Sequence, residues 1–408
     1  MNGLQRIAYR SYQKILWLVS HFLPFREPQL IKGPGSIFKL PELLANQGMT
    51  RVLIVTDQGL MRLHLLDSLF SSLQKHQIVY EVFDEVVPNP TIDNIEQALL
   101  RFYSMNAQAI IAFGGGSPMD VAKAVGARVA RPHKRIPDLK GILKVRKAIP
   151  PLFAVPTTAG TGSEATVAAV VTNAQTHEKY AINDPVLIPQ YAILDPELTI
   201  QLPPFVTATT GLDALTHAIE AFIGKGNTPH TKAMALSSIR RIHQFLLRAY
   251  QNGSDREARE QMQLAAYEAG VAFTRAYVGN VHAIAHTFGG FYQIPHGLAN
   301  AVLLPLVLID YGHAIDAKMA EIAKELQLGN PSDSIEEQAK KVLELIRDWN
   351  QQMKIPHQFD VKVTESNLKT MVKRAAQEAN PLYPVPVIYS HQDFERIIRQ
   401  VAIILPLS

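Results

Sequence analysis

The feature that most narrows the fold is a short apolar run that ends on glycine. Residues 107–113 lead into Gly114-Gly-Gly-Ser-Pro-Met-Asp-Val-Ala-Lys-Ala-Val-Gly126, a strand, a turn and a helix by pattern. The same texture recurs. Residues 51–57 and 78–83 are strand-like with a helical pattern at 92–106 after them, and 150–155, 166–171 and 191–194 add further strand candidates. Apolar strands alternating with helices imply a mostly parallel sheet covered on both faces. After Leu202-Pro-Pro204 the texture changes, with helical patterns at 205–224, 231–251, 254–275, 297–313, 333–353, 364–377 and 391–402 and almost no strand candidates. A chain of 408 residues is long for one core, so a domain boundary is expected there.

The glycine turn is built to approach a ligand. Ser117 is a natural N-cap, Pro118 suits the first helical turn and Asp120 its third position. Such a helix start offers N–H groups and a positive dipole end to an anion, typically a pyrophosphate; a tight turn without a ligand is the alternative. The loop is neither the G-x-G-x-x-G fingerprint nor a Walker A motif. Asp57, closing the 51–57 strand, is placed to accept hydrogen bonds from an adenosine ribose and to repel a 2′-phosphate, favouring NAD over NADP. It would equally serve as an ordinary helix N-cap. Pro156-Thr-Thr-Ala-Gly-Thr-Gly-Ser-Glu164 follows another strand and reads either as a second phosphate or nicotinamide loop or as a polar turn.

Three histidines fall within Val281-His-Ala-Ile-Ala-His-Thr-Phe-Gly-Gly-Phe-Tyr-Gln-Ile-Pro-His296. His282 and His286 share a helical face. A Gly-Gly break and a Pro-His-Gly turn would fold the chain back and bring His296 towards them. Asp213 and His217 repeat the four-residue spacing upstream. One aspartate and three or four histidines in apolar surroundings are a candidate ligand set for one divalent cation, because buried imidazoles need partners. The competing reading is the polar edge of a helix, and spacing leaves open which clustered histidine stands outside the set.

Charge is confined to one end. Of 40 basic and 36 acidic residues, the first 32 residues hold Arg6, Arg10, Lys14, Arg26 and Lys32 against Glu27, so the remainder cancels. A body without net charge has no general reason to bind nucleic acid. Residues 4–23 set Leu4, Ile7, Ala8, Tyr12, Ile15, Leu16, Val19, Phe22 and Leu23 on a helical stripe with Arg6, Arg10 and Lys14 off it. Scattered charges, His21, Pro24 and the lack of a small-residue cleavage site speak against a signal peptide. A basic amphipathic helix either packs on its own domain or lies on an anionic membrane or partner. No apolar run reaches the ~18 residues that span a bilayer. The absence of cysteine excludes disulfides and thiol chemistry and suits a reducing compartment, so a cytoplasmic location is expected.

Asp57, Val86-Val-Pro-Asn-Pro-Thr91, the glycine loop to Asp120, the loop from Pro156 to Glu164, Asp213-Ala-Leu-Thr-His217 and the stretch from His282 to Asn300 follow in order. Together they resemble the iron-containing (group III) alcohol dehydrogenase family, related to glycerol dehydrogenase and dehydroquinate synthase, over roughly residues 29–400. The resemblance implies an α/β N-terminal nucleotide-binding domain (dehydroquinate synthase-like) at 29–203 and an all-α C-terminal domain at 204–408, with the metal in the cleft between them. Residues 1–28 would be a basic amphipathic extension. By position, the metal ligands would be Asp213, His217, His282 and His296. His286 would lie beside nicotinamide and substrate without binding the ion. Asp57, Asn89, Gly115, Gly116, Ser117, Asp120, Thr157, Thr158, Thr161 and Lys179 match cofactor-contacting positions. Thr274-Arg-Ala-Tyr-Val-Gly-Asn280 and Val167-Ala-Ala-Val170 depart from the commonest pattern and leave the substrate open.

The activity so implied is a metal-dependent, NAD(H)-linked interconversion of a primary or secondary alcohol with its aldehyde or ketone, with His286 as proton relay. The ion would be Fe(II) by resemblance, with Zn(II) the competitor on affinity. A hydroxyacid–oxoacid transhydrogenase and a dehydroquinate synthase-like lyase are the alternatives. A homo-oligomer is expected, acting on a small alcohol or aldehyde, with a membrane or partner contact through residues 1–28.

Overall fold

A computed structural model describes residues 3–20, 22, 25–176, 178–330 and 332–405; His21, Leu23 and Pro24 of the opening segment lie outside them. The chain divides into two compact units, one of residues 24–202 with 253–270, the other of residues 1–23, 203–252 and 271–408.

The first unit is a six-stranded sheet in the order Gln29–Lys32, Tyr191–Leu194, Leu152–Pro156, Ala109–Gly114, Arg51–Val55, Val79–Phe83. Every pairing in it is parallel. Alternate residues of the central strands feed opposite layers. Leu53, Val55, Ile110 and Ala112 pack with Ile95, Leu99 and Phe102 of the helix Ile92–Ser104 and with the helix Gly116–Ala130. Val52, Ile54, Ile111 and Phe113 turn the other way, onto Leu40, Leu44, Leu69 and Leu73. Burial on both sides explains the continuous apolar runs of these strands. Each such side chain contributes about 1.5–3 kcal/mol.

Five strands were not foreshadowed: Gln29–Lys32, Gly141–Ile142, Glu178–Asn183, Lys362–Thr364 and Ile403–Leu405. Gln29–Lys32 has only four residues and pairs with Tyr191–Leu194 far along the chain. Glu178–Asn183 runs antiparallel to Ala168–Asn173 and parallel to Gly141–Ile142; Tyr180 and Ile182 are its buried positions, an alternation visible in the sequence.

The first unit also claims residues 253–270, beyond the expected boundary at 203. Gln263 Nε2 donates to Pro156 O and Asp195 O, both at 3.2 Å. A Cβ on Gly270 would stand 2.5 Å from Gly162 O, so glycine is what lets the helix Arg256–Ala276 approach the hydroxyl-rich loop. Contacts of this range leave no trace in local periodicity.

The second unit is mainly helical, with Pro204–Ile223, Pro229–Gln251, Asn280–Tyr292, His296–Tyr311, Asp316–Glu325, Ile335–Gln352, Glu365–Ala379 and His391–Val401, but it is not all-α, because Lys362–Thr364 and Ile403–Leu405 pair as a short parallel sheet. Their starts are written in the sequence. Ser334 with Glu337 and Ser390 with Asp393 form capping boxes, and Thr364 accepts from Asn367 N. The expected Gly-Gly break does not occur. The helix Asn280–Tyr292 runs through Gly289 and Gly290 and ends where Gln293 turns left-handed at φ 55°. Two glycines cost about 1 kcal/mol each, which burial of Phe288 and Ile284 offsets. Pro295 follows the end and disfavours resumption of the helix at Ile294.

The helix Gly3–Ser20 belongs to this unit. Packing by its apolar stripe was one of the two expected readings, an anionic membrane or partner the other. Its one buried residue is instead Gln13.

Candidate functional site

Asp213 and His217 lie one turn apart on the buried helix Pro204–Ile223, and His282 lies on Asn280–Tyr292. His296 opens the next helix, His296–Tyr311. That helix comes close to the first one because position 297 is glycine: a Cβ there would sit 2.4 Å from Thr209 O. The donor atoms of Asp213, His217, His282 and His296 all lie within 4.8 Å of one another. Asp213 Oδ1 is 4.0 Å from His217 Nδ1, 3.9 Å from His282 Nε2 and 3.6 Å from His296 Nε2. Four ligands about 2.1 Å from a tetrahedral ion stand ~3.4 Å apart, so small movements would close the set.

A second observation marks the same point. Asn300 Nδ2 lies 2.6 Å from Asp213 Oδ1, 3.1 Å from His282 Nε2 and 3.2 Å from His296 Nε2. An amide nitrogen has two hydrogens for these three acceptors. The acceptors therefore converge on positive charge, and the donor set fits a divalent cation.

Glu220, three residues beyond His217, is buried and orders this set. It accepts from Gly279 N and Val281 N at 2.8 Å and lies 2.6 Å from His282 Nδ1. Burial pushes its carboxyl up to about 7, and those backbone N–H groups pull it back. Holding Nδ1–H leaves His282 Nε2 as the coordinating atom. Glu220→Ala should lower affinity for the metal about 10–100-fold, read by competition with a chelator. Unchanged affinity would remove Glu220 from this role.

His286 stands apart from the four. Its Nδ1 is 2.6 Å from Glu378 Oε1, and Tyr383 Oη donates to the same oxygen at 2.8 Å. Its ring stacks on that of His296 with centroids 5.1 Å apart. Glu220 was legible as an acid within an apolar helix and Asn300 as one turn from His296. Glu378 and Tyr383 carried no signal, since the packing of the helix Glu365–Ala379 on Asn280–Tyr292 brings Glu378 to His286 and the turn after Ala379 brings Tyr383 to Glu378.

The first unit holds a separate groove of about 840 Å³ at the carboxyl ends of its strands. It gathers Asp57, Gly115, Gly116, Ser117, Thr157 and Thr158 but not Asn89, Asp120, Thr161 or Lys179. Lys179 Nζ bonds Asn89 Oδ1 at 3.0 Å, and Thr161 packs where a Cβ on Gly116 would stand. Ser117 is not the cap it was expected to be: Gly115 caps Gly116–Ala130, with no side-chain hydrogen bond. The first turn's N–H groups are thereby kept for an anion. Asp57 does cap a helix, accepting from Leu60 N at 3.0 Å, and lines the groove with Asp84, Glu85 and Arg62.

Lys123, which no motif singled out, binds the glycine helix to the hydroxyl-rich loop. Fully buried, its Nζ donates to Ser163 O at 2.6 Å, Thr166 O at 2.9 Å and Ala168 O at 3.0 Å. Burial pushes it down to about 8, against Asp120 and Glu164. The same burial raises Glu164 to about 7.

Comparison with known proteins agrees with both halves. Residues 28–196 match the family model for iron-containing alcohol dehydrogenase, and 207–402 that for the C-terminal part of the Fe-containing alcohol dehydrogenase family. The 1,3-propanediol dehydrogenase of Klebsiella pneumoniae is 37% identical over 97% of this chain and 100% of its own. The NAD-dependent methanol dehydrogenase of Bacillus methanolicus is 34% identical over 94% and 99%. A crystal structure of a 1,3-propanediol oxidoreductase superposes with a TM-score of 0.87 at 35% identity, covering 93% of this chain and 99% of that one. Matched through both of its units, the chain belongs to the iron-containing alcohol dehydrogenase family.

Proposed function

We propose that the protein is a metal-dependent, NAD(H)-linked oxidoreductase that interconverts a short-chain alcohol with its aldehyde or ketone. The convergence of Asp213, His217, His282 and His296 carries this reading. Relatives named for methanol and 1,3-propanediol favour a small substrate. When bound, the cation supplies a Lewis acid that stabilises negative charge on the substrate oxygen. The nicotinamide supplies the hydride acceptor or donor.

The chain's residues do the rest. Asp213, His217, His282 and His296 would hold the ion, Fe(II) by family and Zn(II) by affinity. Glu220 fixes the ring of His282. Glu378 holds His286 Nδ1, which leaves Nε2 to take the hydroxyl proton during oxidation and return it during reduction. The uncapped start of Gly116–Ala130 would bind pyrophosphate.

Asp57, with Asp84 and Glu85 beside it, would exclude a 2′-phosphate. Because Asp57 also caps a helix, the informative substitution is Asp57→Asn, which keeps the cap and removes the charge. It should narrow the gap in kcat/KM between NADH and NADPH by about ten-fold, or ~1.4 kcal/mol. Equal use of both cofactors by the wild type would refute this role of Asp57. The wider test is metal analysis of purified protein with an NADH-linked screen of alcohols and aldehydes. Steady NADH formation from a simple alcohol supports the proposal, whereas a lyase turns over without accumulating NADH.

A further inference from the structure

The helix Gly3–Ser20 is held by its polar side. Arg10 donates to Val385 O at 2.7 Å, Pro386 O at 2.8 Å and Gln13 Oε1 at 2.9 Å. Gln13 Nε2 donates to Pro381 O at 3.0 Å and Tyr383 O at 2.7 Å. The opposite side carries Leu4, Ile7, Ile15 and Leu18, which recur three or eight residues apart along one stripe. They are 80%, 65%, 64% and 57% exposed. A helix that covers a core buries such a stripe; here the hydrogen bonds of Arg10 and Gln13 keep it outside. A contiguous exposed apolar face of this kind marks an interaction site.

Charge selects the occupant. The helix contains no Asp or Glu, and Arg6 and Lys14 are exposed on it. A second copy would bring the same cations to the stripe with no carboxylate of this helix to meet them. An anionic lipid surface meets both the apolar stripe and Lys14 at its edge. Arg6, Arg10 and Lys14 suit it to the membrane interface and not to spanning.

We propose that Gly3–Ser20 docks this protein on an anionic phospholipid bilayer, its stripe in the headgroup layer and its polar side clipped to residues 381–386. The proposal stands independently of the dehydrogenase reading. The test is co-sedimentation of the full chain with vesicles containing phosphatidylglycerol, against vesicles of phosphatidylcholine alone, at low and high salt. Binding should require phosphatidylglycerol and weaken with salt. It should fall about five-fold for Lys14→Gln, and vanish in the Ile15→Ser/Leu18→Ser double variant, which keeps Arg10 and Gln13. Activity on a soluble alcohol should be unchanged in all of these. Failure to bind, or equal binding to both vesicles, overturns the proposal. So does sedimentation showing that the double variant has a smaller assembly than the parent, because a second copy would then cover the stripe.

Discussion

His217→Ala should strip the bound metal and lower turnover on the order of a thousand-fold, since losing a Lewis acid removes several kcal/mol of transition-state stabilisation. His217 is buried on an apolar helix, its ring stacked on Phe273 with centroids 4.2 Å apart and on His282 at 4.4 Å. The substitution removes one ligand and leaves the helix a better former than before. Metal content of the purified variant, circular dichroism and NADH-linked turnover separate ligand loss from unfolding. A folded variant that keeps one ion per chain would exclude His217 from the ligand set.

The second large effect is expected at His286. His286→Gln should retain the ion and bind NADH, yet turn over about a hundred-fold more slowly, the lower range for removal of a general acid–base group. The pH dependence of kcat should change with it. Glu378→Gln and Tyr383→Phe should give weaker versions of the same change, because they act only by orienting the ring. Loss of metal in His286→Gln would move His286 among the ligands. An unchanged pH profile would remove it from proton transfer.

Both predictions rest on residues that local pattern exposes. Four-residue spacing sets each pair on one helical face, and apolar neighbours put those faces inside. The alternation of strands and helices to Leu202 similarly announces a parallel sheet, because strands buried on both faces must be apolar throughout. The glycine loop shows where the sheet's ligand end lies.

What local pattern could not supply was the company these residues keep. Glu220 and Asn300 reach the cluster because Gly279 and Gly297 permit contacts that any Cβ would block. Glu378 meets His286 across 92 residues of sequence. Asp57 was legible both as a cap and as a groove acid, and it is both, since its first oxygen satisfies Leu60 N while the strand end opens onto the groove. The first helix reverses the usual rule for the same reason. Periodicity gives it an apolar stripe, but which side packs depends on the backbone carbonyls offered by residues 381–386. Sequence by itself determined the elements, their apolar faces and the chemical types at the site, because these follow from spacing along the chain. Tertiary structure alone decided which of those groups meet, because hydrogen bonds and close backbone approaches depend on distances that spacing does not encode.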